Sequence, residues 1–153
     1  MVQEVVTQYD PALQIRNSRI AFDLHGVLDT YAYFRKLANQ AYNDPDTQMI
    51  IVTGSLYTLK LQRKLSDLKI KFDEFYSITQ HILDKDPALI HWIDGHPFAE
   101  DEVWDTAKAD ICRAVNIDLL FDDSPIYGKY FQNHPTLYIE VQNGKWKDSG
   151  RHV

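Results

Sequence analysis

Apolar residues follow two patterns that alternate along most of this chain. Short, nearly continuous apolar runs predict buried strands, and they cover residues 19–23, 48–53, 75–78, 117–121 and 136–141. Segments whose apolar residues recur every three or four positions predict helices over 31–43, 56–68 and 125–132, and from the acidic residues at 100–102 to about 115. Strands that alternate with helices in this way favour a parallel sheet.

Local signals mark several of these boundaries, and two regions stay without a clear pattern. Thr30 or Asp29 is predicted to cap the helix over 31–43. Residues 80–101 contain two prolines, three histidines, Trp92 and Phe98, and we predict at most a flap there. Residues 1–18 are polar and irregular, which indicates an arm or one short strand.

The nearly continuous apolar runs indicate strands that are buried on both faces. The sequence therefore predicts an α/β fold, namely a three-layer, Rossmann-like, doubly wound and mainly parallel sheet with helices on both faces. The chain has 153 residues, which suits one domain, so we predict a single domain over 1–153 without a large cap insertion.

Composition narrows the classes of partner and compartment. Asp and Glu number 22 against 16 Lys and Arg, so the formal net charge is −6, and nucleic acid or an anionic membrane is a poor partner. The single cysteine, Cys112, excludes an internal disulfide and is predicted to be buried. Because no signal peptide or membrane-spanning run is recognisable, we predict a cytoplasmic protein.

Polar residues with useful chemistry stand at the ends of three predicted strands. Asp23 ends the first strand, Thr53 ends the second, and Asp122 and Asp123 follow a later one. Because the carboxyl ends of parallel strands meet at one edge of a sheet, these residues should lie together. Carboxylates that share such a site repel each other and need a cation, and ligation by oxygen alone favours Mg²⁺ and a phosphate substrate.

Ordinary structural roles compete with this interpretation. A single Asp after a strand is usually a helix cap, and an Asp-Asp pair is often a turn. The coincidence of all three strand ends in one chain order is what favours a functional site. Zinc is a weaker hypothesis, because the spacing of the candidate ligands does not place two histidines on one helical face; those candidates are His81, His91, His96 and Asp94.

The same residues carry a resemblance to a known family. The segment FDLHGVLDT resembles the first motif of the haloacid dehalogenase superfamily, and VTGS, with Thr53, is similar to the second. Lys108 resembles the lysine of the third motif in its placement, and FDDS, with Asp122 and Asp123, resembles the fourth. The resemblance spans residues 19 to about 132 and implies a small, capless phosphohydrolase.

The resemblance also implies roles for the matching residues. Asp23 would attack phosphorus and carry the aspartyl-phosphate. Asp23, the backbone carbonyl of His25, Asp122 and Asp123 would hold Mg²⁺. Thr53 and the N–H of Gly54 would bind phosphate oxygens, and Lys108 would neutralise Asp23 and the transferred phosphoryl group.

One position departs from the pattern of the family. Its phosphatases usually carry an Asp two residues after the nucleophile, as acid and base, and here that residue is His25. Three outcomes stay open: His25 is a working acid–base catalyst, or the phosphoenzyme forms but hydrolyses slowly, or the domain only binds or regulates. We favour a Mg²⁺-dependent phosphomonoesterase, with a catalytically weak or inactive binding domain as the alternative.

Spacing along the chain indicates an open site, because the short stretches between the motifs leave no room for a cap. A nucleotide or a sugar phosphate would fit such a site, and a homodimer interface could act as its lid. Five aromatic residues are candidates for the mouth of the site, although each one alone is more readily explained as core; they are Tyr31, Tyr33, Tyr57, Trp92 and Phe98.

Overall fold

The computed structural model describes residues 18–143 and the backbone of residues 145–147. The strands are β1 Ser18–Phe22, β2 Thr47–Thr53, β3 Glu74–Ser77, β4 His91–Ile93, β5 His96–Phe98, β6 Leu119–Asp122, β7 Leu137–Gln142 and β8 Lys145–Lys147. The α-helices are α1 Ala32–Asn43, α2 Leu59–Asp67, α3 Ile78–Lys85 and α4 Asp101–Ala114. Short 3₁₀ turns cover Pro87–Leu89 and Tyr127–Phe131, and an irregular turn over Leu24–Leu28 follows β1.

The central sheet has five parallel strands in the order β3-β2-β1-β6-β7, and β8 adds to β7 in antiparallel fashion. The chain passes from β1 to β2 and β3 on one side, and β6 then joins the other side of β1. Phe22 pairs with Ile51 of β2 and with Phe121 of β6. The register therefore sets the residue after β1 level with the carboxyl ends of both neighbouring strands, which confirms an α/β fold with a parallel sheet.

Alternate residues of the strands enter two separate apolar clusters. Ala21, Ile50 and Leu120 belong to one cluster, and their chain neighbours Phe22 and Ile51 belong to the other. Helices α3 and α4 contribute to the first cluster, while α1 and α2 contribute to the second. This alternation is what a sheet with two apolar faces requires.

The predicted burial of Cys112 is confirmed, since its side chain is fully buried in the first cluster. Burial raises the pKa of this thiol to about 12, so it stays protonated and unreactive near neutral pH.

Two helix starts differ from the sequence-based prediction. Neither Thr30 nor Asp29 caps α1, whose first turn follows Tyr31 without a side-chain cap. Helix α2 begins at Leu59 rather than at residue 56, because Thr58 caps it by accepting a hydrogen bond from the Leu61 N–H at 3.1 Å.

Two further regions were predicted wrongly or incompletely. Residues 125–132 do not form an α-helix, because the segment is short and Asn133 adopts the left-handed conformation with φ 55° soon after it. Residues 80–101 were predicted to form at most a flap, but they hold most of α3 and, after it, the antiparallel hairpin β4–β5.

The predicted arm or strand at residues 1–18 lies outside the described residues, except for Ser18 at the start of β1. Among the described helices, none combines the length and the apolar character that crossing a membrane demands.

Candidate functional site

Asp23 lies at the carboxyl end of β1 and is held there by the backbone of the neighbouring strand. Its N–H donates to the Phe121 carbonyl at 2.8 Å, and its own carbonyl accepts from the Leu28 N–H at 3.3 Å. The residue is only 7% exposed. Its backbone is therefore fixed at both polar groups, and its side chain is largely shielded from bulk water.

Lys108 on α4 joins Asp23 to the end of β6. Its ammonium nitrogen lies 3.0 Å from Asp23 Oδ1 and also donates to Asp122 Oδ2. The other oxygen of Asp122 accepts the Ser124 N–H at 2.9 Å. The Lys108 side chain is 2% exposed, and its nitrogen lies 5.1 Å from the centroid of the Tyr127 ring. These contacts make Lys108 a buried cation that serves two carboxylates.

The charges at this site do not balance, because Lys108 contacts two buried carboxylates and a third, exposed one on Asp123 lies beside them. One oxygen from each of Asp23, Asp122 and Asp123 lies within 4.8 Å of the others. Burial raises the pKa of Asp23 to about 8, and the Asp122 charge adds to the rise while Lys108 opposes it. Burial and the Asp122 charge also raise the pKa of Asp123. For Lys108, burial favours the neutral amine, but the two carboxylates outweigh it and raise the lysine pKa.

This donor set fits a hard divalent cation. The three ligand groups are carboxylates, with Asp23 and Asp122 buried and Asp123 exposed, and positive charge would relieve their mutual repulsion. The sequence-predicted residues Asp23, Asp122 and Asp123 are therefore brought together, and the role of the His25 carbonyl stays a prediction. Among residues 18–143, the zinc candidates do not form a comparable group.

Gly26 makes room for the third carboxylate. Its φ of 86° is in the left-handed region, and a Cβ built on it would lie 2.0 Å from Asp123 Oδ2. The turn after β1 and the loop after β6 therefore approach each other through a glycine. Any side chain at position 26 would displace the Asp123 carboxylate.

Thr53 ends β2 beside Asp23 and carries an unusual hydroxyl. The residue is fully buried, and Oγ1 has no hydrogen-bond partner among the described residues. A buried hydroxyl without a partner is costly, so it marks a place where a ligand oxygen can bond. The next residue, Gly54, has its carbonyl held by the Thr79 hydroxyl at 2.7 Å. A Cβ on Gly54 would lie 3.0 Å from the Trp104 ring.

The His25 side chain lies at the mouth of the site between two partners. Nδ1 is 3.0 Å from Asp29 Oδ2, and Nε2 is 3.0 Å from Ser55 Oγ. Asp29 also accepts from the Gly26 N–H at 2.9 Å and pairs with Lys64 at 2.9 Å. Burial acts to raise the pKa of Asp29, but these hydrogen bonds outweigh burial and hold that pKa well below its usual range. Asp29 is therefore an ionised group that orients the imidazole.

A cleft of about 800 Å³ opens beside His25, Gly54 and Ser55. The hairpin β4–β5 forms one wall through Trp92, and α2 supplies residues of another wall. Of the five aromatic candidates from the sequence, only Trp92 lines this cleft. The others pack elsewhere or lie exposed: Tyr31 and Tyr33 contact Phe34, Tyr57 contacts Phe72 and Phe75, and Phe98 is half exposed on the hairpin.

Sequence reasoning missed three residues of this region: Asp29, Ser55 and Trp104. Trp104 had a usable signal, since it lies four residues before Lys108 and helix geometry places the two on one face. The Trp104 indole N–H donates to the Tyr127 hydroxyl at 2.9 Å. The contacts of Asp29 and Ser55 depend on how separate loops meet, which spacing along the chain does not reveal.

We compared the chain with known protein families, curated proteins and solved structures. The chain matches no protein-family model, no curated protein and no solved structure.

Proposed function

We propose that this protein is a Mg²⁺-dependent phosphohydrolase that acts through an aspartyl-phosphate on Asp23. The observation that carries the proposal is the buried contact of Lys108 with both Asp23 and Asp122, with Asp123 alongside. An excess of buried carboxylate lowers the stability of the fold, so a purely structural role does not explain it. Its place at the carboxyl ends of parallel strands suits a site for a cation and a phosphoryl group.

The proposed reaction has two steps at one carboxylate. An Asp23 oxygen attacks phosphorus, the bond from phosphorus to the leaving oxygen breaks, and the leaving oxygen takes up a proton. Water then hydrolyses the aspartyl-phosphate and restores Asp23. Bound Mg²⁺ would cancel charge on the phosphate oxygens and keep the carboxylates ionised.

The remaining groups hold the phosphate. The unpartnered Thr53 hydroxyl would donate to one phosphate oxygen, and the Gly54 N–H would donate to another. The Lys108 ammonium lies 3.0 Å from the attacking carboxylate, so it can neutralise both Asp23 and the transferred group. These residues bind the phosphoryl group and neutralise its charge, and they form no covalent bond in the reaction.

His25 is assigned as the acid that protonates the leaving oxygen and the base that activates water. Support comes from its half-exposed ring at the cleft and from the bond to Asp29, which fixes the imidazole in the manner of an oriented general base. If His25→Ala leaves turnover unchanged under saturating Mg²⁺, this assignment is wrong.

One observation favours a second candidate, a domain that binds phosphate groups with little turnover. Both ring nitrogens of His25 already have partners, Asp29 and Ser55. A ring held on both sides must release Ser55 before it can reach a leaving group. Tight binding of Mg²⁺ and phosphate analogues without hydrolysis would favour this candidate.

The doubly wound, three-layer arrangement belongs to the same proposal. Its support is the crossover that brings β6 to the far side of β1, together with the two apolar clusters to which different helix pairs contribute. In such sheets ligands bind at the point where the strand order reverses, and here that point is between β1 and β6.

The test is an assay of the purified protein with p-nitrophenyl phosphate and phosphorylated metabolites, in Mg²⁺ and in chelator. Turnover that requires Mg²⁺ and is lost in Asp23→Asn is the expected result. Asp29→Asn is a useful companion variant, because it weakens the orientation of His25 while leaving the carboxylate cluster intact. Hydrolysis that persists in chelator or in Asp23→Asn would overturn the proposal.

A further inference from the structure

The cleft beside the candidate site is larger than phosphate needs. Its volume of about 800 Å³ lies within the range of about 300–1,000 Å³ that small-molecule sites occupy. It shares His25, Gly54 and Ser55 with the phosphate end of the site. A phosphoryl group held at Thr53 and Gly54 would therefore extend its leaving group into this cleft.

The charge of the cleft is opposite to that of the protein. Acidic residues outnumber basic ones by 22 to 16 in the sequence, yet the described residues that line the cleft include two lysines and two histidines and no Asp or Glu. Lys64 already pairs with Asp29 at 2.9 Å. Lys60, one turn earlier on α2, is exposed and has no ion-pair partner among the described residues, so it can meet an anionic group of a ligand.

Two indoles line the same cleft. Trp92 on β4 is 49% exposed, which is a large apolar surface to leave in water on a short hairpin. Trp104 lies against Gly54, where a Cβ would be only 3.0 Å from its ring. An exposed indole above a ligand-sized cleft is suited to stack on a flat ring.

We propose that this cleft binds the leaving group of the substrate, and that this group carries a flat ring and a second anionic substituent, as in a nucleoside bisphosphate. This inference rests on the proposed function, because it places the scissile phosphate at Asp23. Trp92 stacks on the ring, and Lys60 binds the second anionic group. A sugar phosphate without a ring system of this kind would leave both contacts unmade.

The experiment uses three phosphate esters that differ by one feature at a time. Ribose phosphate has neither the ring nor the second charge, adenosine monophosphate adds the ring, and adenosine bisphosphate adds the second phosphate. For each one, kcat/KM is measured with the full chain in Mg²⁺. We expect the wild-type protein to prefer the ring and to prefer the second phosphate.

Each preference should depend on one residue. Trp92→Ala should lower the ratio of adenosine monophosphate to ribose phosphate by roughly tenfold, as the loss of one stacked base implies. Lys60→Gln should lower the ratio of bisphosphate to monophosphate by about two- to fivefold, as for an exposed charge pair.

Matched controls lie on the same elements. Phe98 is 50% exposed on the hairpin and Arg63 is on α2, and neither lines the cleft. Phe98→Ala and Arg63→Gln should therefore keep both ratios at wild-type values. The inference is overturned if the wild-type ratios are near one, or if Phe98→Ala changes the ring preference as much as Trp92→Ala does.

Failure of the proposed function would be visible separately. If no ester is hydrolysed, calorimetric binding of adenosine bisphosphate to the wild-type protein and to Trp92→Ala still tests the cleft. Binding that Trp92→Ala weakens would support the ligand site while removing the hydrolysis. No measurable binding to the wild-type protein would overturn the inference as well.

Discussion

The amino and carboxyl ends of the central strands carry charged clusters that differ in burial and in charge balance. At the amino end, the Arg19 guanidinium pairs with the Glu74 carboxylate at 2.7 and 2.9 Å, and both side chains reach water, with 20% and 29% exposed. At the carboxyl end, Lys108 is 2% exposed and faces Asp23 and Asp122 together. The first cluster is balanced and solvated, while the second is buried and has an excess of negative charge.

This difference separates a structural ion pair from a candidate site. A balanced pair near water contributes little and needs nothing further. A buried excess of carboxylates lowers stability unless a ligand supplies positive charge. If the two ends differ in this way, removal of a charge should cost far more stability at the carboxyl end than at the amino end.

Lys108→Met should lower the free energy of unfolding by about 3–5 kcal/mol, because it removes the one cation from buried carboxylates. Methionine keeps a similar volume, so lost packing would contribute little. Chemical denaturation in chelator measures the change. A loss of less than about 1 kcal/mol, typical of exposed pairs, would mean that the two ends do not differ as described.

In chelator, stability should fall as the pH rises from about 4 toward 8. The pKa of Asp23 is raised to about 8 in the folded protein, so the folded state holds this proton more tightly than the unfolded state does. The stabilising contribution is complete below the unfolded pKa and is lost as the pH passes through the folded pKa. Thermal melts across this pH range measure the slope.

The dependence of stability on pH should change when Mg²⁺ is added or when Asp23 is replaced. Saturating Mg²⁺ should remove the fall, because a bound cation favours the ionised carboxylate. Asp23→Asn should flatten the fall in chelator, since no proton is left to lose at that position. A wild-type slope equal to that of Asp23→Asn would show that Asp23 is not the group responsible.

Gly26→Ala should weaken Mg²⁺ binding. It should also lower the free energy of unfolding by about 1–2 kcal/mol, because alanine is strained in the left-handed conformation of this position. The new Cβ would lie 2.0 Å from the Asp123 carboxylate and would displace it. Gly95→Ala is the matched control, because Gly95 has φ 77° but open space around it. Calorimetric Mg²⁺ titration should separate the two variants, and equal affinities would count against Asp123 as a ligand.

Glu74→Gln should have the smallest effect, below about 1 kcal/mol at neutral pH. The hydrogen bonds from Arg19 lower the pKa of Glu74 to about 2. Its contribution is therefore present above the unfolded pKa near 4.5 and is lost as the pH falls toward 2. In acid denaturation, the variant should be slightly less stable than the wild-type protein at neutral pH. It should then lose less stability than the wild-type protein as the pH falls from about 4.5 to 2.

The strands and the carboxylate cluster were predictable because the relevant signals are local. Each apolar run ends directly on the residue that matters, as with Asp23, Thr53 and Asp122, and parallel strands bring those ends to one edge. Helix α3 also has a local signal in the sequence. Ser77 is followed three residues later by Gln80, and the Ser77 hydroxyl accepts the Gln80 N–H at 3.1 Å.

The contacts around His25 could not be predicted in the same way. Asp29 was one of two predicted helix caps, with Thr30 as the other, and its carboxylate instead binds Lys64, which is 35 residues away in sequence. The hairpin strands have only three residues each, too few for an alternating pattern to be recognised. Such features depend on how distant segments pack, so the cleft beside His25 appears only in three dimensions.

An aspartyl-phosphate on Asp23 can be detected directly. The protein is mixed with a hydrolysable phosphate ester and Mg²⁺, quenched rapidly in acid, and analysed as peptides by mass spectrometry. We expect a phosphoryl group on Asp23 that is absent in chelator and absent in Asp23→Asn. Steady hydrolysis with no phosphoryl group on Asp23, or with the group on another residue, would contradict this expectation.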